Sequence, residues 1–535
     1  MTAKSMGSAI SLASLRTSTQ RIGHEIEIGK DVLELVTGAM YVDPLTIFRE
    51  YVQNAADAID EGRRLNLFSA GAKPGIEISF NQGERIVRIR DNGVGVPSRD
   101  FSRRLTAIGA SKKRGTNQRG FRGVGRLAGL GYAQEIVFRS RSAGDPKVFE
   151  ITWSARKLRE CLRSNEFTGD LASVIREVTE LATLPGTEWP ARFFEVELRK
   201  VRRVRNDVLM NPAEICSYLA QVAPVPFAAS FPYKGEIEET LAKHGIGPGI
   251  NIVVDGQSGP LERPFGQSIV LSEKAKDRFK GIEFFEVPGV EGGIDAIGYV
   301  LHHSYFGALP KGTGVAGFRA RVGNMQIGGS AIFDFLFSEQ RFNSWCVGEV
   351  HILSDRLVPN GRRDEFEINV PYQNLQGHLA AVASRVSKLC REKSILRNRL
   401  RQAQIIFQNA SDRLTVIRGK ETPSMVRRYY REAVLGAITE LDRMKTRNDK
   451  FRDEERAFID GHIKALEKGL AKAHGTRRGR TWKTVSVRKQ RVLMEFVGMM
   501  LDACDSPEEG AALAKRILDR ARRVKKQQRR AKRVA

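Results

Sequence analysis

Long apolar runs are missing from this sequence. No stretch of about eighteen apolar residues occurs, so no segment has the length of a membrane-spanning helix. The first residues also have no apolar core of the kind a secretory leader requires. A soluble, cytoplasmic protein with no membrane partner is the expectation. Cysteine is equally sparse, with five residues in 535. Cys161, Cys216, Cys346, Cys390 and Cys504 make no C-x-x-C pair and fall at no metal-ligand spacing with histidine. That sets aside a disulfide framework and a structural zinc site, and points to a reducing compartment. Acidic residues are outnumbered, 62 against 88 Lys and Arg, which leaves a net charge of +26. So large an excess predicts affinity for polyanions without naming one. The hydrophobic fraction of 41% suffices for real cores, and the length predicts roughly three or four domains.

The chain is organised around residues 48–60, FREYVQNAADAID. Glu50, Asn54 and Asp57 are spaced so that they share one face of an α-helix. Tyr51, Val52, Ala55, Ala58 and Ile59 supply the apolar surface with which that helix packs on a sheet. An acid and an amide on a buried helix require partners, because an unpaired buried polar group costs a few kcal/mol. Magnesium, water and phosphate would serve. A solvent-facing polar stripe is the plainer reading of this helix taken alone. Upstream, residues 28–41 have apolar positions at helical spacing, and Asp43-Pro44 marks a break; downstream, Gly62 is expected to end the helix.

Two strands are predicted next, 75–80 and 85–90, with a turn at 81–83 between them. The second runs into Asp91-Asn92-Gly93-Val94-Gly95. An acid at a strand end before two glycines leaves its carboxylate facing a pocket while the backbone approaches a ligand closely. A surface hairpin uses the same residues. A third motif, Gly120-Phe121-Arg122-Gly123-Val124-Gly125, follows the basic segment 108–115. Glycines before a helix offer bare N–H groups to phosphate, and the helix dipole favours that charge. The dinucleotide-binding fingerprint fails here. The residues upstream are polar and glycine-rich rather than an apolar strand, and the next strand ends in Arg139-Ser140-Arg141 rather than an acid. No P-loop is present either, since Gly29-Lys30 and Gly419-Lys420 are followed by acids.

In their order and spacing, these motifs resemble the GHKL ATPase superfamily of gyrase, histidine kinases and MutL. Within it the chain is most similar to the ninety-kilodalton heat-shock chaperone family, the bacterial HtpG type. The residues that carry this are 28–60, 89–101, 105–112 and 120–125, with Gly186-Thr187 ahead of a strand at 194–198. The likeness is strong over about 24–200, thinner to about 370 and absent beyond. It implies ATP and Mg2+ as ligands. Glu50 would be the general base that orients water, and Asn54 the magnesium ligand. Asp57 would line the pocket, Asp91 would accept from the adenine amino group, and Gly95 would give the base room. Gly120, Gly123 and Gly125 would wrap the phosphates, and Thr187 would stand at the back of the pocket. Residues 100–123 would form a lid from which Lys112 reaches a phosphate, a solvated loop lysine being the plainer alternative. The chemistry agrees, because phosphoryl transfer needs positioning and charge neutralisation rather than a covalent nucleophile.

From Val201 a second α/β domain is expected, with strands at 249–254, 296–301 and 317–327. The run 318–322 resembles the middle-domain strand from which that family sends an arginine to the γ-phosphate. Arg319 and Arg321 are both candidates, since alternation puts them on one side; an ordinary surface pair is the alternative. The turn 357–364 resembles the same domain more loosely. Beyond Pro371 the composition turns to helix formers and charge. Basic clusters lie at 476–491 and from Lys515 onward.

The expected organisation is therefore a disordered 1–20, then a GHKL (Bergerat) two-layer α/β sandwich over 21–200. An α/β middle domain over 201–370 and an α-helical basic region over 371–535 follow. The expected function is an ATP-hydrolysing, chaperone-like protein acting on protein clients as a homodimer. The alternative is a nucleic-acid-associated GHKL machine that uses its basic C-terminal region. A histidine-kinase role is disfavoured, because no phospho-acceptor helix precedes the ATP domain.

Overall fold

The computed structural model describes residues 43–68, 73–109, 125–163, 170–447, 451–473 and 486–534. The tail expected over 1–20 and the helix expected over 28–41 lie outside the described residues.

Helix α1 is Thr46–Arg64. Asp43 fixes its start, its Oδ1 accepting from the Leu45 backbone N–H at 3.1 Å. Arg63 and Arg64 occupy its last turn, where cations complement the helix dipole. The helix runs past Gly62 and stops where Asn66 takes a φ of 53°. The Leu67 N–H then donates back to the Gly62 carbonyl at 2.9 Å, a common C-terminal closure. Gly62 is needed for a different reason: a Cβ there would lie 2.9 Å from the Phe68 ring.

Strands β1 (Gly75–Asn81) and β2 (Ile86–Asp91) pair antiparallel as the alternation predicts. In the turn between them, the Glu84 N–H donates to Asn81 Oδ1 at 3.0 Å. Alternation sorts the faces of β2. Val87, Ile89 and Asp91 are buried in phase, while Arg88 and Arg90 pair with Glu197 and Glu195. The chain continues through α2 (Ser98–Thr106), β3 (Glu135–Arg141), β4 (Lys147–Ser154), α3 (Ala155–Arg163), α4 (Leu171–Val178), β5 (Thr179–Pro185) and β6 (Phe193–Arg199). Helices α5 (Pro212–Val222) and α6 (Lys234–Lys243) follow, and β7 (Asn251–Val254) then pairs parallel with β1.

The resulting seven-stranded sheet has the order β5-β4-β3-β6-β2-β1-β7. Every pairing but the last is antiparallel. This is the mixed, mostly antiparallel two-layer sandwich expected, with one strand drawn from beyond residue 200. Phe48, Val52 and Ile59 of α1 pack with Ile76, Ile78, Val87, Ile89 and Leu198. The other face of the sheet carries paired charges: Arg139 reaches Glu150 at 2.6 Å and Glu195 at 2.8 Å. Charge-assisted pairs satisfy that face without a second helical layer.

A small ribbon, β8 (Ile269–Ser272) with β9 (Ala275–Asp277), precedes the second sheet. That sheet comprises β10 (Gly281–Pro288), β11 (Ile294–His302), β12 (Gly317–Val322), β13 (Met325–Ile327) and β14 (Val347–Ile352). Its order is β10-β11-β14-β12-β13. Residues 317–327, expected as one strand, form a hairpin instead. Gly323 and Asn324 take φ values of 52° and 67°, as a tight two-residue hairpin turn requires.

The described residues fall into two compact units. The first runs to Ser384 apart from Tyr305–Gly307, and the second comprises those three residues and the chain from Arg385. The chain beyond residue 370 is helical as expected: α7 (Val370–Arg418), α8 (Ser424–Thr446), α9 (Asp453–Lys472), α10 (Val487–Asp502) and α11 (Pro507–Val534). Leu414, Tyr430, Val434, Leu441, Ile459, Leu466 and Leu501 belong to the core of the second unit. No described helix is long and apolar enough to cross a membrane. None of the five cysteines, all among the described residues, is in a disulfide.

Candidate active site

Glu50 and Asp57 are buried and Asn54 is half-buried, all on one face of α1. Each oxygen of the Glu50 carboxylate has a defined neighbour. Oε2 lies against Gly125, the first residue of the short 3-10 segment Gly125–Gly131, and a Cβ on Gly125 would collide with it. Here the missing side chain is what lets the backbone approach the acid. Tyr51, the residue after Glu50, pins that segment. Its hydroxyl donates to the Arg126 carbonyl at 3.1 Å and accepts from the Gly129 N–H at 3.0 Å.

Oε1 of Glu50 lies 3.3 Å from Nη1 of Arg363. Arg363 belongs to the turn 357–364, whose likeness to the family was the loosest. In that turn the Arg363 N–H donates to the Asn360 carbonyl at 3.1 Å, and the Asn360 amide donates to Asp364 Oδ1 at 2.6 Å. Arg363 itself takes a φ of 57°, unusual for a residue with a long side chain. Its carbonyl accepts from the Gly328 N–H at 2.8 Å and from Nη1 and Nη2 of Arg49 at 3.4 Å. Arg49, also on α1, bonds Tyr218 of α5, and burial pulls its guanidinium below the usual range. A strained backbone over-determined in this way is a feature of functional sites.

Asp91 ends β2 beneath α1. Its Oδ1 accepts from the Gly93 N–H at 2.8 Å. Burial pushes the carboxyl up to about 7, opposed by that hydrogen bond and by the charge of Arg192. The glycine bend after it is shaped by contact. The Val94 N–H donates to the Ala58 carbonyl of α1 at 3.2 Å. Gly95 has a φ of 68°, and a Cβ there would strike the Arg141 carbonyl. Arg141 also donates to the Gly186 carbonyl at 2.9 Å. Thr187 follows on an exposed turn.

The two strand arginines are placed elsewhere. Arg321 donates to Glu349 Oε1 at 2.6 Å and to the Gln221 carbonyl at 2.8 Å. Arg319 donates to Gln326 Oε1 at 2.9 Å and to the Ala316 carbonyl at 3.1 Å. Glu349 is fully buried and also receives Arg263 and the Tyr299 hydroxyl. The register sets Arg319 beside Glu349 on the adjoining strand. A buried guanidinium needs an acid or carbonyl close by, and in the core of the second sheet these two have them. Arg319 and Arg321, expected as candidates for the phosphate site, are thus bonded within the second sheet, and Arg363 is the arginine that lies beside Glu50.

Sequence reasoning also missed a set of donors near Glu50. Among the described residues, Arg49 Nε, Gln53 Nε2 and Arg126 Nε are buried with no hydrogen-bond acceptor. Gln53 lies one turn from Glu50, and Arg126 follows Gly125. Burial lowers the Arg126 guanidinium to about 10. Buried N–H groups without acceptors are costly, and a polyanion supplies acceptors for several at once. No group of three or more His, Cys, Asp or Glu side chains suited to a metal occurs among the described residues. Lys112, Gly120, Gly123 and most of the expected lid lie outside the described residues, in 110–124.

A helix-borne acid and amide above a strand-end aspartate, with a glycine segment closing on the acid, is the arrangement of the GHKL ATPase class. Residues 46–177 match the family described as histidine kinase-, DNA gyrase B-, and HSP90-like ATPase. Over 157 residues the chain is 27% identical to the chaperone protein HtpG of Helicobacter hepaticus. That match covers 26% of this chain and 25% of that protein.

Proposed function

We propose that the N-terminal domain binds ATP with magnesium and hydrolyses it, and that the whole chain works as a chaperone-like ATPase. The observation that carries this is the Glu50 carboxylate, set between Gly125 and Arg363, with buried donors that lack acceptors at Gln53 on the same helix and at Arg126 next to Gly125. Those donors suit a triphosphate. In this reading Asp91 accepts from the adenine amino group and Gly95 leaves room for the base. Gly125, with Gly120, Gly123 and Lys112 before it, faces the phosphates. Asn54 contributes an oxygen to magnesium, which when bound would neutralise phosphate charge. Magnesium commonly takes few protein ligands beside phosphate and water. Asp57 and Thr187 line the pocket. Glu50 orients the attacking water and takes its proton. Arg363, charged and planar, neutralises the transferring group. Its turn belongs to the middle domain, which thereby completes the site. Protein clients, a homodimer, a cytoplasmic setting and a lid over 100–123 belong to the same proposal.

Arg363 and Arg321 separate this reading from a purely structural one. Arg363→Ala is expected to lower turnover at least about tenfold, since arginines at phosphoryl transfer contribute large factors, with little loss of ATP affinity. Arg321→Ala is expected to lower the melting temperature instead, because removing one partner of a buried charge pair costs about 3–5 kcal/mol. Steady-state hydrolysis and thermal melts on both variants decide it. Wild-type turnover in Arg363→Ala would remove Arg363 from the site.

A further inference from the structure

Helix α11 ends in a segment that the core of its own unit does not cover. Residues 520–528 are all exposed. From Lys515 to Arg533 the sequence holds eleven Lys and Arg residues and a single acid, Asp519. Among the described residues, Lys515 pairs with Glu421, and Arg522 lies 3.4 Å from Asp519. Beyond Asp519 the neighbours one turn apart are like charges, as at 522 and 526 or 523 and 526. Like charges at that spacing destabilise a helix by roughly 0.2–0.5 kcal/mol per pair. A solvated helix of this composition therefore calls for an external counter-charge.

The distribution of the cations narrows what that counter-charge is. At about 100° per residue the cations of 515–526 fan over roughly three fifths of the helix circumference. Ile517, Ala521, Val524 and Gln528 occupy the remaining strip, and among the described residues only Ile517 and Val524 in it are large, apolar and exposed. Two such residues give too little apolar area for a helix that lies in a lipid interface, which buries a broad face. A flat acidic protein surface would meet the cations of one side only. A nucleic-acid groove has phosphates along both walls. The major groove of B-DNA, about 12 Å wide, accepts a helix about 10–12 Å across. We infer that the α11 segment from Arg516 onward is a binding element for duplex nucleic acid, seated in a groove and held by phosphate contacts without sequence preference. This function is separate from ATP hydrolysis and does not depend on it.

The test is fluorescence anisotropy of the full chain with a labelled mixed-sequence DNA duplex, over a series from about 50 to about 200 mM salt. The intact protein is expected to bind, with affinity falling steeply as salt rises. The combined variant R516Q/R520Q/R523Q/K526Q should reduce the slope of log affinity against log salt by about 3.6, at about 0.9 per phosphate contact. ATP turnover should be unchanged, which shows that the variant is folded. An unchanged slope would overturn the inference, as would failure of the intact protein to bind. So would binding to phosphatidylserine vesicles in place of the duplex, lost in the same variant.

Discussion

Glu50→Ala is expected to lower ATP turnover by about a hundredfold or more, with ATP affinity held within a few fold. The geometry explains the split. One carboxylate oxygen faces Gly125 at the start of the glycine-led segment, and the other faces Arg363. In the role proposed for it, the acid directs water and accepts a proton in the transition state, but binds neither adenine nor ribose. Its loss therefore falls on the chemical step. Removing it also leaves the Arg363 guanidinium without its acid in a largely enclosed place, which lowers stability. Glu50→Gln, which keeps the volume, controls for that. Single-turnover hydrolysis and calorimetric binding on both variants separate chemistry from affinity. Wild-type turnover in both would place the base elsewhere.

The part of this site legible in the sequence is the part made by short-range periodicity. Glu50, Asn54 and Asp57 follow from helical spacing, and Asp91 from its place at a strand end before two glycines. The hairpin of β1 and β2 followed from the same patterns. Arg363 was hidden because its contact with α1 is made by a turn far along the chain, and no local pattern encodes it. The partners of Arg319 and Arg321 were hidden for a related reason. Alternation shows that two arginines share a face, but not that Glu349 on a neighbouring strand is waiting there. The hairpin at 317–327 was hidden by apolar residues on both sides of Gly323-Asn324. Only the left-handed conformation of that pair separates one strand from two. Gly125 was legible as part of a glycine motif before a helix, but its direct contact with Glu50 depends on Tyr51 holding the following backbone.

Asp91→Asn is expected to abolish most ATP binding while leaving the fold intact. Oδ1 of Asp91 already accepts from the Gly93 N–H, so the second oxygen is the one available to an adenine amino group. In the amide that second position becomes an NH2, and donor then faces donor. The loss should exceed that of an ordinary hydrogen bond, because bonds to a charged acceptor are the stronger class. The carboxyl also predicts a pH signature. Burial raises it to about 7 in the folded chain, whereas in the unfolded chain it titrates near 4. Between those values the folded chain holds a proton that the unfolded chain has released. This group's contribution to stability therefore falls as pH rises from about 4 to about 7. A ligand that donates to the carboxylate favours its charged form, so ATP binding near pH 7 should release a proton and strengthen as pH rises through that range. Calorimetry in buffers of different ionisation enthalpy measures that proton, and Asp91→Asn should show none. The same variant should melt no lower than the wild type, since it removes a buried acid without removing a packed side chain. Wild-type affinity in Asp91→Asn would dismiss the adenine assignment, and with it the orientation of the nucleotide beneath α1.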